Sequence, residues 1–355
     1  MTTPSTVYVV VPDGIDDPAR PSGGNLYDRR VCSELAATGW TVHERAVPGT
    51  WPQPDGVALD ALASAFDHVP EGAVVLIDGL IASAAPEVLV PEARRLRLAV
   101  LVHMPLGDRA GDGVTGSREG AALSAVAAIV TTSTWTRTWL LDRYPLVPRR
   151  VHVAEPGVDA AALARGTADG GQLICVGAVT RGKGHDVLIA ALAMIRDLPW
   201  RCVCVGSLDR DPGFVASLGS QSRAGAVEDR VRFTGPLTGA DLAGAYAAAD
   251  LLVLASRGET YGMVVTEALA RGVPVVTTAV GGVSEALGRA SDGRPPGLLV
   301  PRDDPAALAA AVRFWLGDPH SRDRLRQAAR DRRRMLSPWS ATSDRISQVL
   351  AAVAA

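Results

Sequence analysis

Two glutamates with seven residues between them mark the stretch of this chain best suited to bind a ligand. Glu259 follows an apolar run at 251–254, and Glu267 lies in a segment with the composition of a short helix. A carboxylate only accepts hydrogen bonds and therefore suits the vicinal hydroxyls of a sugar. Amides at the helix start lie between the two acids and can hold an anion. The pattern predicts two sugar-binding carboxylates flanking a phosphate, and two solvated surface glutamates are the alternative.

The elements around the two acids form one unit of a parallel α/β sheet. The run at 251–254 is typical of a strand buried on both faces, 261–271 suits a helix, and 275–278 suits the next strand. In such sheets, ligands bind at the carboxyl ends of the strands. The amides expected at the helix start belong to Tyr261, Gly262, Met263 and Val264.

A glycine-rich turn at 180–184 carries two cations, Arg181 and Lys183. It lies between a predicted strand at 173–179 and a predicted helix at 185–195. Lysine binds phosphate as a point charge, and arginine can bind it through two hydrogen bonds. The turn therefore suits a diphosphate, with a solvated basic loop as the alternative. It is not a Walker loop, because G-x-x-x-x-G-K-[ST] is absent.

Two features in the first half of the chain could also contact a ligand. Gly23 and Gly24 lie in a turn that follows a first strand at 6–11, where backbone amides can approach a phosphate. A plain flexible loop fits this pattern equally well. His103 ends a strand predicted at 98–103, so its imidazole is expected at the edge where ligands bind. A structural histidine bonded to a loop is the alternative.

Two other groups of reactive side chains are interpreted as structural. Asp209-Arg210-Asp211 has the D-x-D spacing of metal-dependent nucleotide-sugar enzymes, but it lies far from the acidic pair, so a polar turn is predicted. The cysteines form no C-x-x-C pair, and buried apolar thiols are predicted rather than a metal or redox site. The four cysteines are Cys32, Cys175, Cys202 and Cys204.

Length and composition favour a two-domain α/β protein. The chain has 355 residues, of which 47% are hydrophobic and 36 are glycine, and this argues against disorder. A net charge of −2 gives no electrostatic reason to expect nucleic acid as a partner. No apolar stretch reaches transmembrane length, and no signal peptide is recognisable. A cytoplasmic protein is expected, with a peripheral position at a membrane left open.

Two segments are predicted to lack regular structure. Residues 107–116 are polar and rich in glycine, which is typical of a mobile loop. Residues 160–171 have a low-complexity composition of Ala, Gly, Arg and Thr. That composition favours a linker between two domains.

The segment ETYGMVVTEALARGVPVV at 259–276 resembles the signature of the retaining glycosyltransferases of family 4. The resemblance implies an α/β fold of the GT-B architecture, in which two Rossmann-like, doubly wound parallel-sheet domains face each other across a cleft. It implies an acceptor-side domain at 1–155 and a nucleotide-sugar-binding domain at 156–338. It also implies a C-terminal helix at 339–355 that packs back on the first domain.

The same resemblance assigns roles to the candidate residues. Glu259 would contact the donor sugar and Glu267 the ribose of the nucleotide. His103 would position the substrate near the reacting sugar rather than bind a metal, and Lys183 and Arg181 would stabilise the leaving diphosphate. The other donor-binding positions implied are Gly23, Gly24, Gly206, Gly235, Tyr261, Gly262, Met263 and Val264.

One position departs from the family pattern. The family usually has an arginine several residues before its lysine, and Ala178 occupies that place here. Arg181 would then supply the second positive charge from another point in the turn.

The implied reaction transfers a sugar from a nucleotide-sugar donor to an acceptor hydroxyl, with retention of anomeric configuration and without a metal or other cofactor. The leaving phosphate would itself accept the proton of the acceptor hydroxyl, so no protein nucleophile is required. The acceptor could be a small molecule, a glycan or a lipid-linked molecule. The base, the sugar, the acceptor and the oligomeric state are not specified by the sequence.

Three other classes of protein fit part of the pattern. A glycosidase uses two carboxylates across a bond, but it would have no use for a phosphate-binding Lys183. A sugar-nucleotide epimerase shares the architecture and would need no groove for a second substrate. A non-catalytic relative acting as a partner protein would be expected to lose the charged residues Glu259, Lys183 and His103, which this chain keeps.

Overall fold

The computed structural model describes residues 5–108 and 113–355 and divides the chain into two units. The first contains the described residues up to Asp17, together with Ser22–Gly157 and Pro338–Ala355. The second contains Pro18–Pro21 and Val158–Ser337. Each unit is built on a six-stranded, all-parallel sheet. The predicted α/β class with two doubly wound parallel sheets is therefore confirmed.

The sheet of the first unit has the strand order β2-β1-β3-β4-β5-β6. Its strands are β1 (Thr6–Pro12), β2 (Thr41–Val47), β3 (Val74–Asp78), β4 (Arg97–Val102), β5 (Ala128–Thr131) and β6 (Val151–Val153). The helices along this part of the chain are α1 (Gly23–Ala37), α2 (Gly56–Phe66), α3 (Gly79–Ala84), α4 (Pro86–Glu92), α5 (Gly113–Ala125) and α6 (Thr134–Arg143). The strand order reverses between β1 and β3, and ligands bind beside such a switch point in open α/β sheets.

The sheet of the second unit has the order β12-β11-β10-β7-β8-β9. Its strands are β7 (Gln172–Val176), β8 (Arg201–Val205), β9 (Val231–Gly235), β10 (Leu251–Leu254), β11 (Val275–Thr278) and β12 (Gly297–Val300). Its helices are α7 (His185–Ala193), α8 (Pro212–Ala224), α9 (Gly239–Ala247), α10 (Met263–Ala270), α11 (Val283–Leu287), α12 (Pro305–Gly317) and α13 (Pro319–Arg333). Here the order reverses between β7 and β10, which pair directly through Leu173 and Leu251.

The last helix, α14 (Trp339–Ala354), belongs to the first unit. The Trp339 ring lies edge-on to Tyr27 of α1, with 5.5 Å between the ring centroids. Just beyond α1, Trp40 Nε1 donates a hydrogen bond to Ser347 Oγ at 2.8 Å. Buried aromatic pairs of this kind stabilise a fold by more than the area that they bury. Helix α14 is therefore an integral part of this unit.

Each sheet supports a separate hydrophobic core. All residues of β3 and all residues of β10 are buried, as expected of parallel strands covered on both faces. Buried apolar side chains form one cluster within Val10–Val151 and another within Leu173–Ala329. Two independent cores agree with the two domains expected for a chain of this length.

Several sequence-based assignments differ from the structure. Helices α3, α4, α8 and α11 were not predicted. The segment predicted as a linker at 160–171 has neither helix nor strand, as expected, but it packs on the second unit: Arg165 N donates to Ala247 O at 3.0 Å, and Thr167 Oγ1 donates to Asp250 at 2.5 Å. In the loop predicted at 107–116, Gly107 lies in a short 3₁₀ turn and α5 begins at Gly113. Residues 109–112 lie outside the described residues.

No helix within the described ranges is both long and apolar enough to cross a membrane.

Candidate functional site

The switch point of the second sheet brings together a lysine and a glutamate that are distant in sequence. Lys183 follows β7 and Glu259 follows β10, and Lys183 Nζ lies 2.5 Å from Glu259 Oε1. The glutamate side chain is 11% exposed and the lysine side chain 35%, so solvent reaches the pair mainly at the lysine. Lys183, predicted to bind phosphate, and Glu259, predicted to bind the sugar, therefore lie side by side.

The turn that carries Lys183 is held against the end of β10. Gly184 has a φ of 65°, and a Cβ at this position would lie 1.9 Å from the carbonyl oxygen of Ala255, so the close approach requires glycine. Arg257 donates to the two carboxylate oxygens of Asp186 at 2.9 and 2.8 Å. Such paired bonds fix both groups in one geometry. The backbone around Lys183 is therefore positioned by contacts that do not involve a ligand.

Glu259 is also held from two directions. Ser256 Oγ donates at 2.8 Å to Oε1, the oxygen that contacts Lys183. The Glu259 carbonyl accepts from Gly282 N at 3.0 Å, and a Cβ on Gly281 would lie 1.7 Å from that carbonyl. Within the described part of the chain, Oε2 accepts no hydrogen bond. One carboxylate oxygen therefore remains available for a ligand hydroxyl.

Helix α10 begins just after Glu259. Gly262 precedes the helix with a φ of 94°, and Met263 and Val264 form its first turn. The N–H groups of a first turn have no carbonyl partner within the helix and favour an anion. Tyr261 is 5% exposed and packs into the core, so its side chain faces away from solvent. The helix starts two residues later than predicted, and the predicted amides lie at its start.

Glu267 on α10 is held by a tyrosine that the sequence analysis did not single out. Tyr246 is fully buried on α9, and its hydroxyl donates to Glu267 Oε2 at 2.8 Å. Burial raises the pKa of Glu267, and this rise is partly offset by the Tyr246 hydrogen bond and the charge of Arg271. The Tyr246 hydroxyl binds Oε2 of Glu267 and so fixes the orientation of the carboxylate group, including Oε1.

The Arg181 side chain contacts Phe214 and Asp211 rather than Glu259. Its side chain is 73% exposed, and its guanidinium carbon lies 5.1 Å from the centroid of the Phe214 ring. Its Nε lies 3.9 Å from Asp211, which also caps α8 by accepting from Phe214 N at 3.0 Å. Asp211, the last residue of the D-x-D sequence at 209–211, is thus a helix cap. The role of Arg181 toward a diphosphate stays a prediction.

Gly206 and Gly235 lie at the carboxyl ends of β8 and β9. Gly206 N donates to Gly235 O at 3.0 Å, and a Cβ on Gly206 would lie 2.0 Å from the carbonyl oxygen of Gly177. Close packing of these strand ends therefore explains Gly206 without a ligand. The predicted contacts of both glycines with a donor remain predictions.

In the first unit, His103 lies over two buried aspartates. His103 directly follows β4, Asp78 ends β3 and Asp28 lies on α1. His103 Nε2 is 2.7 Å from Asp28 Oδ1 and 3.6 Å from Asp78 Oδ2. In the described part of the chain, these three residues form the only group with oxygen and nitrogen atoms close enough to share a metal ion. The 2.7 Å separation is that of a charge-assisted hydrogen bond.

The glycines predicted near a phosphate belong to α1 rather than to a loop. Ser22 caps the helix by accepting from Asn25 N at 3.1 Å, which places Gly23 and Gly24 in its first turn. A Cβ on Gly24 would lie 3.2 Å from Cδ2 of His103. The absence of a side chain at Gly24 thus leaves room for the imidazole ring.

Loss of the proton from Asp78 should make the first unit less stable as pH rises. Burial, followed by the charge of Asp28, raises the pKa of Asp78 to about 7 from a usual value of about 3.8. The folded state then binds more protons than the unfolded state, and this stabilisation is lost as pH rises from about 4 to about 7. Asp78→Asn cannot titrate, so its urea midpoint should differ less between pH 5 and pH 7.5 than the wild-type midpoint.

The matched control for this measurement is Asp55→Asn. Asp55 is an exposed cap of α2 whose oxygen accepts from Ala58 N, and asparagine retains that function. Its pH dependence should equal that of the wild type. An unchanged pH dependence in Asp78→Asn would contradict the raised pKa.

The segment that follows His103 is anchored by Glu119 on α5. This carboxylate is fully buried and accepts four hydrogen bonds from Ser83, Leu106, Gly107 and Tyr144. The distances to the Leu106 and Gly107 amides are 2.8 and 3.0 Å. Because every partner donates, Glu119 acts as an acceptor on both oxygens.

Glu119→Gln should therefore destabilise the first unit. The new NH₂ group would face donors, and each unsatisfied buried group costs about 1–3 kcal/mol. We expect a loss of unfolding free energy in that range, measured by urea denaturation followed by circular dichroism. Tyr144→Phe removes only one of the four bonds and should cost less, and the exposed Glu71→Gln should change nothing. Equal stabilities of Glu119→Gln and Glu71→Gln would refute the anchoring role.

Four side chains that organise these sites were not predicted from the sequence. They are Asp28, Asp78, Tyr246 and Arg257. Asp78 carried a usable signal, because it ends an apolar strand as His103 does. Cys175, Cys202 and Cys204 are buried, as predicted, and Cys32 is half-buried. Cys175 Sγ lies 3.7 Å from His185 Nε2.

The chain is similar to known glycosyltransferases. Residues 170–318 match the family model for group 1 glycosyl transferases. The D-inositol 3-phosphate glycosyltransferase of Kineococcus radiotolerans is 34% identical over 65% of this chain and 58% of its own length. The D-inositol 3-phosphate glycosyltransferase 1 of Catenulispora acidiphila is 31% identical over 77% of this chain and 68% of its own length. The chain thus spans only part of the length of these relatives.

Solved structures share the fold. Sucrose-phosphate synthase from Thermosynechococcus elongatus gives a TM-score of 0.82 at 22% identity and covers 98% of both chains. Anabaena HepE in complex with UDP-glucose gives a TM-score of 0.77 at 17% identity, covering 98% of this chain and 99% of its own. At these identities the likeness concerns the fold alone.

Proposed function

Because this chain belongs to the group 1 glycosyltransferases, whose GT-B fold it shares, we propose that it transfers a sugar from a nucleotide-sugar donor to an acceptor hydroxyl with retention of anomeric configuration. The observation that carries the proposal is the contact between Lys183 and Glu259 at the switch point of the second sheet. That position combines a phosphate-binding cation with a hydroxyl-binding carboxylate. A glycosidase would have no need for the cation.

In the proposed reaction, the bond between the anomeric carbon and the diphosphate oxygen breaks, and its electron pair goes to the diphosphate. The acceptor oxygen bonds to the anomeric carbon on the same face, and its proton passes to the leaving phosphate. Lys183 and the amides of Met263 and Val264 would stabilise the negative charge that develops on the leaving group. Fixed charges and dipoles of this kind act without reorganising during the reaction.

The contact between Lys183 and Glu259 has a further consequence for donor binding. An ammonium group donates three hydrogen bonds, and Glu259 uses one of them. Lys183 can therefore keep its contact with Glu259 while it binds phosphate oxygens. Glu259 would direct the ammonium and hold a sugar hydroxyl through its second oxygen. The same two residues would thus place the sugar next to its leaving group.

Glu267 would bind the ribose of the donor. Tyr246 occupies Oε2 with its hydroxyl, which leaves Oε1 to accept from the vicinal diol. The donor in the HepE complex is UDP-glucose, so uridine nucleotides are the first to test here. D-inositol 3-phosphate, the substrate named for the relatives, is the first acceptor to test.

The proposal includes transfer without a metal or other cofactor and a cytoplasmic location. Lys183 and the α10 amides offer the positive electrostatics that D-x-D enzymes obtain from a metal ion. The cysteines are free thiols, which suits a reducing compartment.

The decisive experiment measures release of nucleoside diphosphate. Purified protein is screened by thermal shift against UDP-, GDP- and ADP-sugars, since a bound ligand raises the melting temperature. Each donor that binds is then incubated with and without an acceptor panel that includes D-inositol 3-phosphate. We expect release of nucleoside diphosphate that depends on the acceptor and continues in the presence of EDTA. We also expect the anomeric proton signal of the product to show the same axial or equatorial configuration as that of the donor.

Other outcomes would refute the proposal. Conversion of the donor sugar without an acceptor would indicate an epimerase. Donor binding without turnover, for any acceptor, would favour a non-catalytic partner protein. Inversion of the anomeric signal would contradict retention, and loss of activity in EDTA would contradict metal independence.

A further inference from the structure

The two aspartates next to His103, Asp28 and Asp78, are buried from water. Asp28 is 4% exposed and Asp78 5%, and they come from a helix and a strand on different segments. Asp78 Oδ1 accepts from Leu80 N at 2.6 Å and so caps α3. Their carboxylate oxygens lie within 4.8 Å of each other, and two buried acids at this distance require a proton or a cation to compensate their charge.

The imidazole of His103 supplies that compensation. Burial alone would lower the pKa of His103, but the charge and hydrogen bond of Asp28, together with the charge of Asp78, raise it overall. The titratable groups facing the ring are Asp28 and Tyr27 from α1 and Asp78 from β3. Tyr27 is buried and its pKa is raised, so it stays neutral. The balance of charge around the ring is therefore set by the two acids.

The ring of His103 is fixed in one orientation. Its Nε2 contacts Asp28 Oδ1 at 2.7 Å, its Cδ2 edge lies against Gly24, and Tyr27 packs edge-on with 5.1 Å between centroids. In the part of the chain that the structure describes, Nδ1 makes no hydrogen bond. The side chain is 13% exposed. A histidine bonded through one nitrogen presents the other in a defined protonation state.

We propose that Asp28 is a positioning residue that holds His103 as an imidazolium, with Nε2–H bound to Asp28 and Nδ1–H free to donate to a substrate oxygen. This inference rests on the proposed function, in which His103 would position the substrate, as the family resemblance implies. Below its pKa of about 7, Asp78 carries a proton and adds no negative charge to the group. Asp28 touches no substrate and acts through His103.

The first test reads His103 directly and does not depend on activity. The protein contains six histidines, and ¹⁵N-histidine labelling with a His103→Gln variant assigns the His103 signals. We expect a His103 pKa above 6.5 in the wild type, with Nε2 protonated in the neutral form. Asp28→Asn removes the charge and should lower that pKa. A wild-type Nδ1–H tautomer, or a His103 pKa unchanged in Asp28→Asn, would overturn the proposal.

The second test compares pH profiles of kcat. If the imidazolium is the working form, kcat falls as pH rises through the His103 pKa, and Asp28→Asn moves this fall to lower pH. On the alkaline side, each unit of pKa shift should lower kcat about tenfold. The KM for the donor should change less than kcat. Asp55→Asn, an aspartate cap on the same unit, should keep the wild-type profile.

The remaining outcomes separate the possible failures. If the wild type transfers no sugar, the proposed function fails, while the NMR titration still decides whether Asp28 controls His103. If Asp28→Asn does not fold, the wild-type tautomer and pKa decide. A His103 titration that changes when EDTA is added would show a metal ion at the three residues and would overturn the proposal.

Discussion

Replacing Lys183 by alanine is expected to weaken binding of the nucleoside diphosphate roughly 10- to 100-fold. A hydrogen bond to a charged group contributes about 1.5–3 kcal/mol, and 1.4 kcal/mol corresponds to a factor of ten. The loss should lie toward the upper end, because Glu259 would keep only its bond from Ser256 and would face the diphosphate as an uncompensated anion. Titration calorimetry with UDP, GDP and ADP measures the effect for whichever nucleotide binds the wild type.

The informative comparison for this variant is Arg181→Ala. Arg181 is a cation of the same turn, but its side chain is 73% exposed and lies beside Phe214 and Asp211. A smaller loss than for Lys183→Ala is therefore expected. Equal losses would show that Arg181 turns toward the ligand, as its position in the sequence suggested. No loss in Lys183→Ala would remove the basis for a diphosphate site here.

The sequence predicted the strands well because their physical signal is local. β3, β4 and β10 are runs of apolar residues in which almost every residue is buried. Such runs are typical of parallel strands covered on both faces. Glycines and charges directly after the strands then marked the ligand-binding edge. Lys183, Glu259 and His103 were found because each follows a strand of this kind.

The order of the strands carries no comparable local signal. β7 and β10 are neighbours although β8 and β9 lie between them in the chain. Lys183 and Glu259 therefore meet only through a crossover that composition does not reveal. Asp28 illustrates the limit most clearly, because on the sequence it is one polar position in a helix. Its role follows only from the tertiary structure, in which β3 and β4 are neighbours and Asp28 of α1 contacts His103.

In the segment at 160–171, composition indicates a linker but does not reveal how the segment packs. Its alanines and glycines favour a flexible linker, but the buried Asp250 holds its end in place. Asp250 accepts from Thr167 N at 2.6 Å, from Gln172 N at 2.9 Å and from Arg326 at 2.9 Å. With the Thr167 hydroxyl, four donors from three residues satisfy one buried carboxylate, and only the tertiary structure brings them together.

Weak intrinsic helix propensity explains why two of the helices, α8 and α4, were not predicted. α8 contains Gly213 and Gly219, and α4 contains Pro91 inside the helix. Glycine and proline are the least favourable residues in a helix interior. α8 is held instead by Phe214 and Leu218, which are buried in the core of the second unit. Packing here outweighs propensity, as it often does for short helices.

The Glu259→Gln variant is expected to separate catalysis from nucleotide binding. Glutamine removes the charge that directs Lys183, and it replaces one hydroxyl-accepting oxygen by an NH₂ group. Removing one preorganised electrostatic contact from an active site lowers kcat about 10²- to 10³-fold, and a loss of this order is expected. Steady-state kinetics with the donor and acceptor identified by the screen measures it.

Binding of the free nucleoside diphosphate should change in the opposite direction. In the wild type, the negative charge of Glu259 lies 2.5 Å from Lys183 Nζ and repels the phosphates. The pair is partly exposed, so its loss releases at most about 1 kcal/mol, or roughly a two- to fivefold gain in affinity. The exposed Glu228→Gln on the same unit should change neither quantity. If Glu259→Gln instead weakened nucleotide binding in step with kcat, Glu259 would act chiefly by holding Lys183 in place, and its contact with the sugar would be unsupported.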